Sequence, residues 1–497
     1  MKKPDLMLMR INNFGDIKAL LLDNKTIKQT IFKNTFWLTV GKGISSLLNL
    51  VLIIYVVRIL GATEYGKFTF ALAFVSLFII FSDLGISTIV VREFSGEKKR
   101  LKEFYSIISL KMLLGLGMLI LVLIGSFFVT SDPVIQKIIL ILALYSFINN
   151  ALIGISSSFF QARQRMEYVA WIAVFTALAL MICGLFVILN FPSAKNLSYA
   201  YLFVSLISLI FTAIIFQFKV SPLKICWDKS IWKNFLLMSW PLAFAGLFGM
   251  LYSYIDSVMM GYWGQITETG WYNAAHKLTR TAYLITGLFC ASLFPVLSAS
   301  FKKSKEKLQK VWNYQTELMI ILAFPMVVGG ITLAPRIINF IYGQDFTPSI
   351  LAFQILIIMQ GVMLLYNGLR GVLIVVNQQR KIFWTVFAGA IINIILNLVL
   401  IPKFSLYGAA IATLITHFLI FLLLFRFTTK FTPIEPLKLK FLFISIGAIL
   451  SSTIMFLIIS RPQIYYLNIF LSIPIGVGVY LICFFLYQKL TRLSFTY

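Results

Sequence analysis

The chain has 497 residues, of which 60% are hydrophobic and only 12% are charged. Because soluble globular proteins usually have a charged share of about 25%, this composition excludes a soluble globule and indicates an integral membrane protein. The formal net charge of +26 would suggest a nucleic-acid partner in a soluble chain. In a membrane protein, cytoplasmic loops rich in Lys and Arg explain this charge, so we expect no nucleic-acid partner.

The N-terminal residues 1–34 are basic and carry apolar side chains at helical spacing, which predicts a cytoplasmic amphipathic segment on the membrane surface. Fourteen apolar segments follow, each long enough to cross about 30 Å of hydrocarbon as a helix. The predicted fold class is therefore an all-α polytopic membrane protein. The approximate limits of the segments are 35–57, 68–91, 104–130, 134–160, 168–191, 198–218, 235–262, 271–299, 313–335, 350–377, 382–401, 405–426, 440–460 and 465–488.

The first pair of segments has a counterpart about halfway along the chain. In each pair a short polar break that contains a glycine, Gly61 or Gly264, separates two apolar runs, and a basic cluster follows the second run. Segments 1–6 and 7–12 correspond in order and orientation, which predicts two six-helix lobes related by a parallel repeat. The predicted domains are an N-lobe at 35–218, a C-lobe at 235–426, and 427–497, which holds two extra C-terminal helices and a cytoplasmic tail. Residues 219–234 between the lobes suit a cytoplasmic interfacial linker and an ordinary cytoplasmic loop equally well.

The distribution of Lys and Arg indicates the orientation. With fourteen segments and a cytoplasmic N-terminus, most of the 43 Lys and Arg residues fall in cytoplasmic loops and tails. The positive-inside rule therefore predicts that both termini lie on the cytoplasmic side of the cell (inner or plasma) membrane. The basic residues that fall in outside loops are Arg58, Lys67, Lys137, Lys195, Arg336, Lys403 and Arg461.

Several short motifs resemble those of one transporter family. Together with the repeat, they resemble the oligosaccharide (O-antigen and polysaccharide) flippases, the polysaccharide transporter family of the multidrug/oligosaccharidyl-lipid/polysaccharide exporter superfamily. The resemblance covers essentially the whole chain in helix count and layout. The motifs are Asn34-Thr-Phe-Trp37, Arg58-x-Leu60-Gly61-x-x-Glu64-Tyr65-Gly66, Phe81-Ser-Asp83-Leu-Gly85, Val91-Arg92-Glu93 and Phe160-Gln161-Ala-Arg163.

This resemblance implies two lobes that open alternately to the two sides of the membrane. It implies a flippase that moves a polyprenyl-pyrophosphate-linked oligosaccharide from the inner to the outer leaflet during polysaccharide biosynthesis. The implied partners are the lipid-linked oligosaccharide, membrane lipids and other glycan-assembly proteins. Because the superfamily also contains multidrug exporters and peptidoglycan-precursor flippases, the cargo does not follow from the fold alone.

Ionisable side chains inside the membrane are the candidate functional residues, because each costs about 2.5–3.5 kcal/mol on insertion scales. In the N-lobe, Lys42, Asp83 and Lys111 fall at similar depths on segments 1, 2 and 3. One explanation is an internal ion pair that neutralises one lysine. The remaining positive charge would then suit a phosphate-bearing ligand that enters from the cytoplasm.

In the C-lobe, Asp256 on segment 7 and Lys277 on segment 8 fall at similar depths, and we expect a salt bridge between them. Arg280 follows three residues later with no acidic residue at its level, so it is the main candidate for binding the pyrophosphate. Arg370, with Asn367 one turn before it, is a second candidate. The alternative for Arg370 is that it snorkels to the cytoplasmic face.

Polar uncharged residues inside the spans have two explanations. Asn149 and Asn150 in segment 4, and Gln360, Asn393 and Asn397 in the C-lobe, could line a polar cavity that binds sugars. Hydrogen bonds between helices explain them equally well. His276 borders the outer interface and His417 lies in mid-span, and each is expected to be a core residue rather than a proton relay.

No signature of a soluble enzyme is present. Residues 61–67 fit the phosphate-binding pattern Gly-x4-Gly-Lys, but Phe68 replaces the required Ser or Thr. The four cysteines are not spaced as metal ligands, and no zinc-protease or serine-hydrolase motif occurs. We therefore expect no enzyme activity, no catalytic residue, no metal site and no cofactor.

Without a nucleotide site, an ion gradient or the membrane potential is the expected driving force. Binding of a coupling Na⁺ or H⁺ by Asp83 or Asp256 is one form of this hypothesis. The main alternative function is a multidrug/cation antiporter of the same superfamily, which would need exposed acids. The five bases inside the spans outnumber these two acids and favour an anionic cargo. A non-transporting scaffold of a glycan-synthesis complex is a third alternative.

Overall fold

The computed structural model describes residues 27–95, 101–222, 224–301, 303–436, 438–465 and 468–491. Most of the predicted amphipathic segment and the last residues of the predicted tail lie outside these ranges. Within them the chain is helical and contains no β-strand. In chain order the elements are α1 (Ile27–Asp83), α2 (Ile86–Glu93), α3 (Leu101–Val129), α4 (Pro133–Phe147), a π-helix (Ile148–Ile153), α5 (Gly154–Ala162), α6 (Met166–Asn190), α7 (Ala194–Lys219), α8 (Lys229–Tyr262), α9 (Ile266–Phe301), α10 (Lys305–Tyr342), a 3-10 helix (Gln344–Phe346), α11 (Ser349–Val375), α12 (Gln379–Phe431), α13 (Leu439–Ile459), α14 (Pro462–Tyr465) and α15 (Ile469–Thr491).

The helix lengths agree with the predicted number of spans. Ten helices of the described chain are long and apolar enough to cross a membrane, and the bent α8 would be an eleventh. The helices α1 and α12 are 57 and 53 residues long, but each contains a non-helical residue, Gly61 (φ 72°) or Ser405 (φ 52°). A straight helix of that length would reach about 80 Å, so each of these two helices is long enough for two spans joined by a tight turn. With the 36-residue α9, this accounts for the fourteen predicted spans and supports the predicted all-α fold class.

Several helices begin where the sequence provides an N-terminal cap. The Asp132 side chain accepts hydrogen bonds from the backbone N–H groups of Val134 (2.7 Å) and Ile135 (3.4 Å), and Pro133 occupies the first helical position of α4. Ser193 and Ser304 likewise cap α7 and α10. These caps satisfy backbone donors that have no partner within the first turn of a helix.

The turns that precede the second and eighth predicted segments, which correspond in the predicted repeat, contact each other. Gly66, in the second arm of α1, and Gly270, in α9, approach so closely that neither position has room for a side chain. A Cβ atom on Gly66 would lie 1.9 Å from the Ile266 carbonyl oxygen, and one on Gly270 would lie 2.0 Å from the Ala62 carbonyl oxygen. Gly66 thus faces Ile266, four residues before Gly270, and Gly270 faces Ala62, four residues before Gly66. This reciprocal contact is what an approximate two-fold axis between the two elements would produce.

A second pair of turns shows the same correspondence. The chain passes through a left-handed residue at Gln164 (φ 57°) and at Asn377 (φ 61°). In both turns, the residues before, at and after this position donate to carbonyl groups four, three and five residues earlier, with N–O distances between 2.8 and 3.1 Å. These matching hydrogen bonds follow the fourth and tenth predicted segments and are consistent with a parallel repeat.

The chain divides into two compact units. Unit 1 holds Met1–Ile59 and Phe78–Gly246, and unit 2 holds Leu60–Leu77 and Leu247–Tyr497. The limits given above for the two lobes, the linker and the C-terminal helices stay predictions. At the start of unit 1, α1 begins within the predicted amphipathic segment, and the buried Lys33 ammonium lies 3.2 Å from the Glu167 carboxylate.

Aromatic residues form much of the core of unit 1. The Phe104 ring lies 4.5 Å from the Phe159 ring and 5.5 Å from the Phe216 ring, measured between centroids. The residues after α7 also pack onto this unit, since the Ser109 hydroxyl donates to the Cys226 carbonyl (2.7 Å) and the Trp232 indole N–H donates to the Ser106 carbonyl (2.8 Å).

In unit 2, the last two long helices are attached to α10. The Tyr480 hydroxyl of α15 donates to the Ile321 carbonyl at 2.9 Å, and the Lys440 ammonium of α13 lies 2.9 Å from the fully buried Glu317 carboxylate. The predicted extra helices are therefore part of the packed core of this unit.

Candidate functional site

In unit 1 a helix break interrupts the second predicted segment. The helix α1 ends at Asp83 and α2 begins at Ile86, with Leu84 (φ 46°) and Gly85 (φ 77°) between them in the left-handed region. A Cβ atom on Gly85 would lie 2.7 Å from the Leu242 Cβ atom, so the break packs closely against α8. Broken helices occur inside membranes where protein groups satisfy the freed backbone.

The Asp83 carboxylate accepts a hydrogen bond from a backbone N–H group that the break leaves free, and it forms an ion pair with Lys111. It accepts hydrogen bonds from the Ser87 backbone N–H (3.3 Å), the Ser87 hydroxyl and the Lys111 ammonium. The Lys111 side chain has no exposed surface, whereas 25% of the Asp83 side chain is exposed. The ion-pair explanation therefore holds for Lys111, and in this conformation Asp83, not Lys111, faces the surroundings.

Lys42 is in a different situation from Lys111. Its side chain is exposed, and within the described ranges it has no carboxylate within ion-pair distance. Of the three ionisable residues that the sequence placed at one depth, the structure joins Asp83 to Lys111 and leaves the charge of Lys42 unneutralised.

Asn149 and Asn150 lie in the π-helix Ile148–Ile153, a widened turn that often marks a functional region. The Asn149 amide donates to the Tyr145 carbonyl (3.2 Å), and the Asn150 amide donates to the Ser146 carbonyl (2.9 Å). Both side chains are partly exposed, and these two hydrogen bonds stay within their own helical segment.

In unit 2, Asp256 of α8 is the centre of a buried hydrogen-bond network. Its Oδ2 atom accepts from the Tyr272 hydroxyl (2.7 Å) and the Thr413 hydroxyl (2.8 Å), and its Oδ1 atom accepts from the Asn397 amide (2.6 Å). The Asn397 amide also lies 3.1 Å from the Asn393 Oδ1 atom. Residues from α8, α9 and both arms of α12 thus converge on one carboxylate, which is only 7% exposed.

The expected salt bridge between Asp256 and Lys277 is not formed, and this prediction was wrong. The residue of α9 that faces Asp256 is Tyr272, and Lys277 comes five residues later. At 100° per residue, Lys277 points about 140° away from Tyr272 around the helix axis. Similar depth therefore did not imply a shared face, and Lys277 is partly exposed without a carboxylate partner in the described part of the chain.

One acceptor beside Asp256 has no hydrogen-bond donor. The Asn397 Oδ1 atom is buried and has no hydrogen-bond partner among the described residues. Within these ranges Asp256 also has no Lys, Arg or His side chain within ion-pair distance. The site thus gathers a carboxylate, an amide oxygen and two hydroxyl groups without a basic side chain. In the described chain, no group of three or more His, Cys, Asp or Glu residues could hold a metal ion.

Two histidines lie beside this network. The His417 Nδ1 atom is 2.8 Å from the Tyr366 hydroxyl, which agrees with its expected place in the core. The His276 ring stacks on the Tyr272 ring, with centroids 5.8 Å apart and planes 7° from parallel.

Arg280 and Arg370 are exposed, and neither forms an ion pair with a described residue. Asn367 is half-buried one turn before Arg370, and Gln360 is 2% exposed, so Gln360 lies in the core and does not line a cavity here. Tyr272 and Thr413 were not predicted as site residues, because a tyrosine or a threonine in an apolar segment is common in membrane helices.

Comparison with known proteins gives a consistent result. A family model described as polysaccharide biosynthesis protein matches residues 31–301. The chain is similar to the probable low-salt glycan biosynthesis flippase Agl15 of Haloferax volcanii, with 23% identity over 252 residues, which is 50% of this chain and 53% of that protein. It is also 23% identical over 405 residues to the capsular polysaccharide biosynthesis protein CapF of Staphylococcus aureus, covering 78% of this chain and 96% of the relative.

Among solved structures, the fold is similar to that of the lipid II flippase MurJ in an inward closed conformation. The TM-score is 0.74 at 17% sequence identity, and the match covers 91% of this chain and 98% of that one. At this identity the similarity shows the fold alone.

Proposed function

Because the chain belongs to the polysaccharide biosynthesis protein family, whose model matches residues 31–301, we propose that it is a membrane flippase for a lipid-linked glycan. Relatives named as a glycan biosynthesis flippase and as a capsular polysaccharide biosynthesis protein support this proposal. A fold shared with a lipid II flippase supports it further. The same comparisons agree with a multi-pass transporter and not with an enzyme.

The cargo is a polyprenyl-pyrophosphate-linked oligosaccharide, which moves from the inner to the outer leaflet. The observation that carries this assignment is the set of basic side chains in the spans that have no ion-pair partner among the described residues: Lys42, Lys277, Arg280 and Arg370. A pyrophosphate group supplies the opposite charge. The Arg280 guanidinium offers several donors in a fixed plane and is the main contact to the phosphates.

Translocation proceeds by alternating access. The sugar and pyrophosphate cross through the protein, while the polyprenyl chain stays in lipid. Asn149 and Asn150 contact the sugars from the widened π-helical turn, and Asn367 supports Arg370. Lys111 is held by Asp83 in the present conformation, so it contacts cargo only when that ion pair opens.

A coupling cation, Na⁺ or H⁺, drives the cycle through Asp256. Hard cations prefer oxygen ligands, and the carboxylate, hydroxyl and amide oxygens around Asp256 supply them. Asp83 is less suited to this role because Lys111 already neutralises it. The membrane potential is the second possible source, since one charge moved across 100 mV corresponds to about 2.3 kcal/mol.

The drug-exporter alternative is less compatible with these side chains. Binding of cationic drugs requires accessible acids, but Asp83 is paired with Lys111 and Asp256 is only 7% exposed. The scaffold alternative predicts that substitution of the unpaired bases changes nothing.

Deletion of the gene followed by analysis of lipid-linked sugars tests the proposed function. We expect a lipid-linked oligosaccharide to accumulate on the inner leaflet, and Arg280→Ala to reproduce that accumulation at normal protein level. Arg461→Ala, which removes an exposed basic side chain in a predicted outside loop, is the matched control and should behave as wild type. Normal surface glycan in the Arg280→Ala strain would contradict the assigned site, and normal glycan in the deletion strain would contradict the function. Vesicle transport that runs unchanged after all ion gradients are collapsed would contradict the coupling.

A further inference from the structure

Tyr272 connects α9 to the carboxylate of Asp256. Its hydroxyl lies 2.7 Å from the Asp256 Oδ2 atom, and its ring is 2% exposed. Thr413 and Asn397, which also donate to this carboxylate, both belong to α12, as does Asn393 beside them. Among the described residues, Tyr272 is therefore the one hydrogen-bond link from Asp256 to α9.

The three donors differ in what they can do when a cation takes the lone pairs of Asp256. The Thr413 hydroxyl is also 2.9 Å from the Ala409 carbonyl, and the Asn397 amide is also 3.1 Å from the Asn393 Oδ1 atom. Both donors can therefore turn to a second acceptor within α12. The second contact recorded for the Tyr272 hydroxyl is the Thr413 hydroxyl at 3.4 Å, which belongs to the same network. Of the three donors, Tyr272 is thus the one with no recorded acceptor outside this network among the described residues, so a cation that takes the Oδ2 lone pairs shifts Tyr272 relative to Asp256.

A change at Tyr272 affects the positively charged part of α9. Its ring stacks on His276 at 5.8 Å, and on an ideal helix His276 lies about 40° and Arg280 about 80° from Tyr272, with Arg280 about 12 Å further along the axis. Lys277 and Arg280, which have no ion-pair partner among the described residues, follow directly on the same rigid helix. A tilt or rotation of the first turns of α9 therefore displaces both side chains.

We propose that Tyr272 is the positioning residue through which occupancy of Asp256 by a cation changes the affinity of the Lys277 and Arg280 region for an anionic headgroup. This inference rests on the proposed function and adds the residue that links the cation site to the headgroup site. The coupling is reciprocal, because a cation that alters anion affinity by some factor must have its own affinity altered by the same factor.

Binding of inorganic pyrophosphate to the purified full chain in lipid nanodiscs tests this proposal. The affinity is measured by calorimetry at one constant pH, with Na⁺ present and with choline in its place. In the wild type, Na⁺ should change the affinity at least about fivefold, as is typical of coupled sites. In Tyr272→Phe, which removes the hydroxyl but keeps the ring on His276, the change should fall below about twofold while pyrophosphate still binds.

Ser257→Ala is the matched control. The Ser257 hydroxyl forms the neighbouring contact between α8 and α9, 3.0 Å from the Asn273 amide, but does not touch Asp256. This variant should keep the wild-type cation effect. If Ser257→Ala loses the cation effect as fully as Tyr272→Phe does, the effect depends on contacts between α8 and α9 in general and not on Tyr272. That result would overturn the proposal.

The possible failures can be told apart. A wild type that binds no pyrophosphate contradicts the proposed headgroup site, and one that binds it without any cation effect contradicts the proposed coupling; either result overturns the inference as well. Undiminished coupling in Tyr272→Phe overturns the inference alone. If that variant does not fold, hydrogen exchange of the wild type at constant pH decides: Na⁺ in place of choline should alter exchange at 266–281, and unchanged exchange overturns the proposal.

Discussion

Asp83→Asn should destabilise the protein more than Lys111→Met, although both substitutions break the same ion pair. The Lys111 side chain is fully buried, so Asp83→Asn leaves a charged ammonium without its counter-ion, at a cost of about 3–5 kcal/mol. After Lys111→Met, the Asp83 carboxylate is still 25% exposed in the present geometry and keeps the two Ser87 donors. Its loss of one charged hydrogen bond should cost about 1–3 kcal/mol.

The double variant Asp83→Asn/Lys111→Met supplies the decisive comparison. Because no unpaired charge remains, its stability should lie within about 1 kcal/mol of that of Lys111→Met. The assay is unfolding in mixed detergent micelles, followed by tryptophan fluorescence, for the wild type and the three variants. Two results would refute this reasoning. One is a free energy of unfolding for Lys111→Met that is as low as that of Asp83→Asn, and the other is a double variant that is no more stable than Asp83→Asn.

Gly66→Ala and Gly270→Ala should each lower the thermal midpoint of the protein by several degrees, because the added Cβ would meet a backbone oxygen at 1.9 or 2.0 Å, whereas Gly117→Ala, with no atom within 4 Å, should not. Equal midpoints for all three would contradict the close contact. Asp256→Asn should abolish the dependence of vesicle transport on a cation gradient. The fraction of Asp83→Asn protein that folds should retain this dependence. Retained cation dependence in Asp256→Asn would exclude that residue as the coupling site.

The hydrophobic length of the segments made the fold class predictable. A chain with fourteen apolar runs interrupted by basic clusters is compatible with few fold classes other than an all-α membrane protein. The polar breaks around Gly61 and Gly264 are turns in the structure, as the predicted repeat implied. The break at Leu84 and Gly85 was not predicted, since Asp83-Leu-Gly85 lies inside a continuous apolar run. The packing of Gly85 against Leu242 and the hydrogen bonds of Asp83 are tertiary and side-chain contacts that support this break, and the local sequence does not show them.

The site was predictable in part. Depth along the helices suggested an ion pair between Asp83 and one lysine of similar depth but did not choose between Lys42 and Lys111, and the structure forms the pair with Lys111. Asp256 and Lys277 have similar depths but form no salt bridge, since depth gives no information about rotation around the helix axis. The actual partners of Asp256 are neutral donors, whose positions depend on how α9 and α12 pack, and this cannot be derived from the local sequence.

Transport by the purified protein tests most directly whether basic side chains in the spans bind the pyrophosphate headgroup. The measurement is the rate at which a polyprenyl-pyrophosphate-linked oligosaccharide appears in the opposite leaflet of proteoliposomes that contain wild type, Arg280→Ala or Arg461→Ala. We predict at least about a tenfold slower rate for Arg280→Ala, equal to the loss of about 1.4 kcal/mol from the headgroup contact, and no change for Arg461→Ala. Equal rates for all three proteins would contradict the account.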